Sequence, residues 1–515
     1  MKKLNQFLLI TSVAAGLSTA FLSCDKGIDE PQVQAYTPAN LDEKASNWKT
    51  YVLASPADIV VDAPKAVGST EYQAELASLK QKTTNLTASQ QDAVTYWGAG
   101  AVYRWNEIGR ELCARYNIPP ASTADGKYPV PDAANPLADP RFPFANPPYS
   151  ARALAYLSVA QYDALVSTWY YKYKYNRISP DKADASIKPL LATSALPSYP
   201  SEDAVVATAS VVILKAMFPG EVAYLDAKLA EHRNSRLWAG VNVESDLTAG
   251  EALGTAVAAK IMGRAKADGM STSNNQTVTA GMIQAAKERG LKDVWVSQES
   301  PARPPMLPNY GSVQTWNFDK KTLVSMRPPA PPELNSAEYN TDFSELSKIN
   351  KSQTREQARV ANFWSDGPGS YTPPGHWHRT AANAGHDAKY SEVRMARMLA
   401  LLGTTEMDAA IGCWEAKYYY YYPRPQQFGM KTSVGLPNFP SYPSGHSTFS
   451  GAAATVLAYI FPDKADEFKA QANEASLSRI YGLIHYRFDS EKGVDHGNAI
   501  GAYAIARGKA DGSGL

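Results

Sequence analysis

The sequence predicts an all-α protein: two related helical bundles, duplicated four-helix-type units, packed into one body and joined by long Pro-rich loops. Apolar residues recur at three- and four-residue spacing through most of the chain, and strand-like alternation is scarce. Segments of the C-terminal half also repeat a pattern already met in the N-terminal half.

Taken in order, residues 1–23 read as an export signal. Lys2 and Lys3 precede an apolar run from Phe7 to Leu22 that is too short to remain as a membrane span. The ending Phe21-Leu22-Ser23-Cys24 resembles the lipobox of bacterial lipoproteins, although that pattern prefers Leu where Phe21 stands. The resemblance implies that Cys24 is acylated and that the mature chain is held at the cell envelope, outside the cytoplasm, touching a membrane only through its lipid.

Residues 24–90 form a tether and N-terminal segment, polar and flexible as far as about Asn47. Residues 91–270 form the first bundle. It opens with a helix over 92–116 that stops at Asn117-Ile118-Pro119-Pro120 and continues with helices at 150–168, 203–218 and 249–267. Residues 271–350 are a Pro-rich connection, and 120–149 and 297–334 carry no period and read as ordered loops. Residues 351–515 form the second bundle, with helices at 354–364, 390–402, 405–420, 447–461 and 464–484.

Composition narrows the function. With 51 Lys and Arg against 50 Asp and Glu, the net charge is +1, so no excess of positive charge exists to coat a nucleic acid or an anionic bilayer. Three cysteines, Cys24, Cys113 and Cys413, make neither a disulfide framework nor a four-cysteine zinc site. Any anion must be met by a local cluster.

The internal repeat shows where that cluster lies. Tyr199-Pro200-Ser201 matches Tyr442-Pro443-Ser444, and a constant offset then pairs Phe218-Pro219 with Phe461-Pro462 and Ser235-Arg236 with Ser478-Arg479. The same offset pairs Asp246 with Asp489, Gly250 with Gly493 and Gly254 with Gly497. Upstream, Trp169 and Lys172 match Trp414 and Lys417. The copies differ where charge matters: Arg424, Gly445, His446 and His485 stand against Ser179, Glu202, Asp203 and Asn242. The first copy reads as a scaffold, and an oxyanion site is expected only in the second.

There, Lys417, Arg424, Ser444, Gly445 and Arg479 supply the positive, donor-rich cradle that a tetrahedral oxyanion needs. Ser444-Gly445-His446 precedes an apolar helix, whose N-terminal N–H groups favour an anion. Asp489 follows His485 by one helical turn. On one helix face it orients an imidazole and leaves the other ring nitrogen free to attack or to ligate. His446 and His485 then divide the work between nucleophile or ligand and general acid–base.

Together, Lys417-x6-Arg424-Pro425, Pro443-Ser444-Gly445-His446 and Ser478-Arg479-x5-His485-x3-Asp489 resemble a three-part signature. It is the signature of the superfamily joining type 2 phosphatidic acid phosphatases, bacterial non-specific acid phosphatases and vanadium-dependent haloperoxidases. Trp414 and Phe439 match aromatic positions of the halide region in the chloroperoxidase-like branch, and the stretch from Phe363-Trp364-Ser365-Asp366 to Trp377 looks like a loop that approaches the site there. That branch implies vanadate bound through His485, with halide and hydrogen peroxide as small-molecule substrates. The alternative is an acid phosphatase acting on a phosphate ester, with His485 as nucleophile, Asp489 steadying it and His446 as general acid. A pure oxyanion-binding protein is a third possibility, disfavoured because it needs neither histidine.

Of the remaining histidines, His376 and His378 read as loop or lining residues behind Pro373-Pro374-Gly375, and His386 and His496 as partners of Asp387 and Asp495. His232 belongs to the first copy. The tyrosine run 418–422 reads as aromatic packing beside the cradle.

Overall fold

The computed structural model describes residues 33–128 and 144–514, and among them every regular element is helical. The predicted signal segment and Cys24 lie outside the described residues. Among the described residues no helix is long and apolar enough to cross a membrane.

In the first half, α1 (Thr70–Lys82), α2 (Ala88–Gly98) and α3 (Ala101–Tyr116) lead into the long α4 (Pro147–Tyr175) and the single turn α5 (Pro180–Ala183). They are followed by α6 (Glu202–Met217), α7 (Val222–Trp238) and α8 (Glu244–Ala267). The connection holds α9 (Thr279–Glu288), α10 (Lys320–Ser325) and α11 (Ala337–Ser352). The second half runs through α12 (Arg355–Phe363), α13 (Thr372–Asp387), the long α14 (Glu392–Tyr420), α15 (Gly445–Ile460), α16 (Ala465–Tyr481) and α17 (Arg487–Lys509).

Both α4 and α14 have 29 residues, about 43 Å at 1.5 Å per residue, and are buried along almost their whole length. They pack against each other. The sequence expects a break at 403–404, yet α14 is continuous, because Gly403 serves the crossing: a Cβ there would stand 3.1 Å from the Ala155 Cα. Conversely, the expected single helix over 92–116 is two. Gly100, at φ 117°, caps α3, and the Glu392 carboxylate takes the N–H groups of Ala101 and Val102 at 3.1 and 2.8 Å.

The expected loop at Pro373-Pro374-Gly375 is the first turn of α13, where prolines lose no helical hydrogen bond. The segment expected to be flexible up to Asn47 is packed from residue 33 onward. Asp42 accepts from Ser391 at 2.5 Å and pairs with Arg394, and the Trp169 Nε1 donates to Leu41 at 2.9 Å.

The same fixtures recur in the two halves. Asp163 of α4 accepts the N–H groups of Tyr51, Val52 and Leu53, and Asp408 of α14 accepts those of Trp316 and Asn317. Trp414, like Trp169, donates to a strap carbonyl, that of Met306. Tyr420, Tyr422 and Tyr442 donate their hydroxyls to Pro328, Pro332 and Pro329, so the tyrosine run clamps a Pro-rich strap that has few N–H groups of its own. Glycines set the helix spacing: a Cβ on Gly254 of α8 would meet the Val205 carbonyl of α6 at 2.5 Å, and one on Gly497 of α17 the Thr448 carbonyl of α15 at 2.2 Å.

Candidate active site

The site forms where α14, α15, α16 and α17 meet the loop from Tyr421 to Ser444. Its centre is His485. The expected placement of His485 and Asp489 on one helix is not what the chain does: α16 ends at Tyr481, His485 sits in the bend before α17, and Asp489 lies in the first turn of α17. Their pairing comes from helix capping instead. Asp489 Oδ2 accepts the Tyr486 N–H at 3.2 Å and the His485 Nδ1–H at 2.8 Å.

Ser441, which the sequence reading did not single out, completes this support by donating its hydroxyl to the same Oδ2 at 2.5 Å. Burial pushes Asp489 up to about 7, against the lowering pull of Ser441 and Lys417. Burial, then Arg424 and Lys417, holds His485 well below 6.5. The imidazole is therefore neutral, with its proton on Nδ1 facing Asp489 and its lone pair on Nε2, 3.4 Å from Arg424 Nη1.

Lys417 lies in the last turn of α14 but does not line the cavity. Its Nζ donates to the carbonyls of Pro440, Ser441 and Pro443 at 2.9, 2.7 and 2.6 Å, using all three ammonium donors to hold the loop that carries Ser441. Burial brings it down to about 7. Arg424 is wholly buried and donates Nε to Phe439 and Nη1 to Ile484, while its Nη2 has no partner. An unpaired buried guanidinium nitrogen is costly, and an anion is what satisfies it.

Ser444 is the N-cap of α15; its own N–H donates to the Asp489 carbonyl at 2.9 Å, and its hydroxyl accepts from Ser447. Gly445 opens the helix onto the cavity, since a Cβ there would meet only Trp414, at 3.9 Å. The His446 Nε2 lies 3.2 Å from the Ser365 carbonyl, and burial followed by Arg479 keeps this ring well below 6.5. Arg479, in the last turn of α16, donates Nη2 to Ala361 and Nε to Ser478; burial lowers it to about 10 while Asp366 opposes the shift.

The cavity, about 160 Å³, is lined by Gly445, His446, Arg479 and His485 together with Trp414 and Phe439. The two aromatic rings are 4.9 Å apart, and Phe439 also underlies Lys417 and Arg424 at 5.0 and 5.1 Å. Ser365 and Asp366 of the loop before α13 form another wall, and Phe144 and Pro147 from the first half close the apolar side. An imidazole lone pair held only at 3.4 Å by a guanidinium, an unpartnered guanidinium nitrogen, a helix N-terminus and clear space at Gly445 suit a tetrahedral oxyanion, vanadate and phosphate alike.

Other histidines stand apart from the cradle. His376 stacks on Trp364 at 4.4 Å, with Nδ1 3.2 Å from Asp366 Oδ1. His378 is buried beside Asn106 and Glu406. Neither Asp387 nor Asp495 is the partner found: His386 Nε2 pairs with the Gln34 carbonyl, and both ring nitrogens of buried His496 lack a hydrogen bond.

In the first half the cations around the equivalent position are neutralised from within. Lys172 pairs with Glu202 at 2.7 Å, Asp203 lies 3.0 Å from His232 and 3.5 Å from Arg236, and Asp246 pairs with Arg177. Glu202 and Asp203 stand where the second half has Gly445 and His446, so carboxylates take the place of an external anion.

The sequence pattern of the PAP2 superfamily matches residues 396–510. No curated protein matches the chain. Among solved structures the chain is similar to a bacterial vanadium-dependent iodoperoxidase, at 23% identity and a TM-score of 0.54, over 70% of this chain and 91% of that one. It is also similar to a bacterial vanadium-dependent chloroperoxidase in its holo form, at 14% identity and a TM-score of 0.51, over 77% of this chain and all of the other. At these identities the likeness establishes a shared all-α fold.

Proposed function

We propose that the chain is an enzyme of the vanadium haloperoxidase type, oxidising halide with hydrogen peroxide at the cradle built from α14 to α17. One observation carries this reading: His485, whose Nε2 lies 3.4 Å from Nη1 of an Arg424 guanidinium that keeps its Nη2 unpartnered, lines one cavity with Gly445, His446 and Arg479. A binding protein needs the donors but not an imidazole whose tautomer is set by a buried carboxylate. The motif residues serve both chemistries, and the likeness in fold to vanadium-dependent haloperoxidases supports halide oxidation.

His485 Nε2 would hold vanadate, with Arg424, Arg479 and the Gly445 N–H spreading its charge. Bound vanadate supplies a Lewis-acidic centre at which hydrogen peroxide becomes reactive toward halide. Asp489 keeps the His485 proton on Nδ1, so that Nε2 remains a ligand. His446, neutral and at the cavity wall, takes up and returns a proton at its imidazole. Lys417 acts through the loop, fixing Ser441 and thereby Asp489. Trp414 and Phe439 exclude water from the wall that a halide approaches.

The matched PAP2 pattern over 396–510 favours a second reading, phosphate-ester hydrolysis, with His485 Nε2 attacking phosphorus and His446 protonating the leaving alcohol. Purified protein supplied with vanadate, peroxide and iodide or bromide should oxidise halide faster than it hydrolyses a chromogenic phosphomonoester; the reverse order assigns the phosphatase. His485→Ala should abolish whichever activity is found, and an unchanged rate in that variant removes both readings. We also read the two halves as products of duplication, and the chain as anchored outside the cytoplasm through Cys24, which mass spectrometry of the mature N-terminus tests.

A further inference from the structure

We propose that Asp366 makes the cradle select oxyanions that carry a proton, such as hydrogen phosphate and hydrogen vanadate, over sulfate; this rests on the oxyanion reading above. The Asp366 side chain is 7% exposed and lines the same cavity as Gly445, His446, Arg479 and His485. Its position is held firmly. Trp364 stacks on His376 and donates Nε1 to Glu474 at 2.9 Å, while the Ser365 carbonyl lies 3.2 Å from His446 Nε2. Asp366 itself has φ 40°, in the left-handed region.

One carboxylate oxygen, Oδ1, lies 3.2 Å from His376 Nδ1; the other, Oδ2, is buried without a hydrogen-bond partner. Asp366 is also the charge that opposes the burial-driven fall in the Arg479 pKa, and both side chains line the cavity.

A carboxylate oxygen only accepts hydrogen bonds. In a cradle whose other charged groups are cationic, it repels a bare anion and is satisfied by an O–H. Hydrogen phosphate and hydrogen vanadate carry that O–H near neutral pH. Sulfate, with the same shape and charge as hydrogen phosphate, carries none, so it leaves Oδ2 unpaired and sets a bare oxygen against the carboxylate. Sites built to pair with a substrate hydroxyl reject analogues lacking it by large factors. Asparagine in this position removes the repulsion and offers an N–H.

Calorimetry on the whole protein at pH 7, with inorganic phosphate, orthovanadate and sulfate as separate probes, tests this. Phosphate and vanadate should bind, with sulfate at least about 100-fold weaker. In Asp366→Asn the phosphate-to-sulfate ratio should shrink by about tenfold or more, chiefly through a gain in sulfate affinity. Sulfate within about threefold of phosphate in the unmodified protein, or an unchanged ratio in the variant, overturns the role of Asp366 and leaves the functional reading standing. Absence of binding by all three oxyanions overturns the functional reading and this selectivity with it.

Discussion

At Nδ1, His485 takes its orientation from Asp489, because the Ser441 hydroxyl that also lies near Nδ1 donates to Asp489. Replacing Asp489 by Asn keeps the shape but weakens the acceptor that faces Nδ1, and a change of this kind around a ligating histidine costs roughly 10–100-fold in affinity. Asp489→Asn should therefore weaken vanadate or phosphate binding by about that factor in a calorimetric titration, with the helical circular dichroism unchanged. Protons enter the same balance. In the anion-free site, burial and the neighbouring cations hold His485 and His446 well below 6.5, and a bound anion opposes the cations and raises both rings. Phosphate, which leaves Nε2 free to protonate, should take up protons on binding at pH 6, and its affinity should rise as pH falls; titration in two buffers of different ionisation enthalpy reads the uptake directly, and proton release contradicts it. Arg424, Gly445, His446, Arg479 and His485 are legible in the sequence as one cluster because a partner copy lacks several of them, whereas Lys417 and Ser444, legible as cradle donors, hold the loop and cap α15 instead. Ser441 and Asp366 are not legible, since a lone serine in a Pro-rich loop and a lone aspartate before α13 acquire meaning only from what the fold brings against them.

Helices with one apolar stripe are visible in the sequence, whereas helices set by glycine are not. Gly403 looks like a break in α14 and is a crossing point, while α17, rich in glycine and charge, shows no apolar period at all. Its identity lies in close backbone contact: Gly493, Gly497 and Gly501 each face α15, where an added Cβ would stand within 2.7, 2.2 and 2.9 Å of a neighbouring atom. The Gly497 contact is to a main-chain carbonyl, which cannot swing aside, so Gly497→Ala should destabilise the fold by about 1–3 kcal/mol, the usual cost of overpacking. Gly445→Ala provides the contrast. Its Cβ meets nothing closer than 3.9 Å, so the melting temperature should stay the same while oxyanion affinity falls, because the methyl enters the cavity. A Gly497→Ala protein that melts with the unmodified one removes the packing argument.

The two halves meet along α4 and α14, and the seam contains buried polar groups that neither half needs for its own core. Glu406 of α14 and His378 of α13 are both fully buried, 3.5 Å apart, and neither Glu406 oxygen makes a hydrogen bond. Asn106 of α3 accepts from Arg110 Nε at 3.0 Å through Oδ1, so its Nδ2 donates to His378 Nδ1 at 2.9 Å, which places the imidazole proton on Nε2, toward Glu406. Burial drives Glu406 well above 4.5 and, helped by Arg110, brings His378 down to about 3, so both groups are neutral in the native protein. The sign of the resulting pH dependence follows from linkage. Above pH 4.5 the unfolded chain releases the Glu406 proton and the native chain keeps it, so the native state holds more protons and loses stability as pH rises, by up to about 1.4 kcal/mol per pH unit. His378 acts in the opposite sense, but only below about pH 6.5, where the unfolded ring takes up a proton that the native ring refuses. Between pH 6.5 and 8 the glutamate acts alone within this pair. Glu406→Gln copies the shape of the protonated acid without titrating. The variant should therefore gain on the unmodified protein steadily across that window, its melting temperature rising relative to the parent from pH 6.5 to pH 8. A difference that is flat or falls with pH shows that Glu406 is ionised in the seam and held there as the partner of a charged His378.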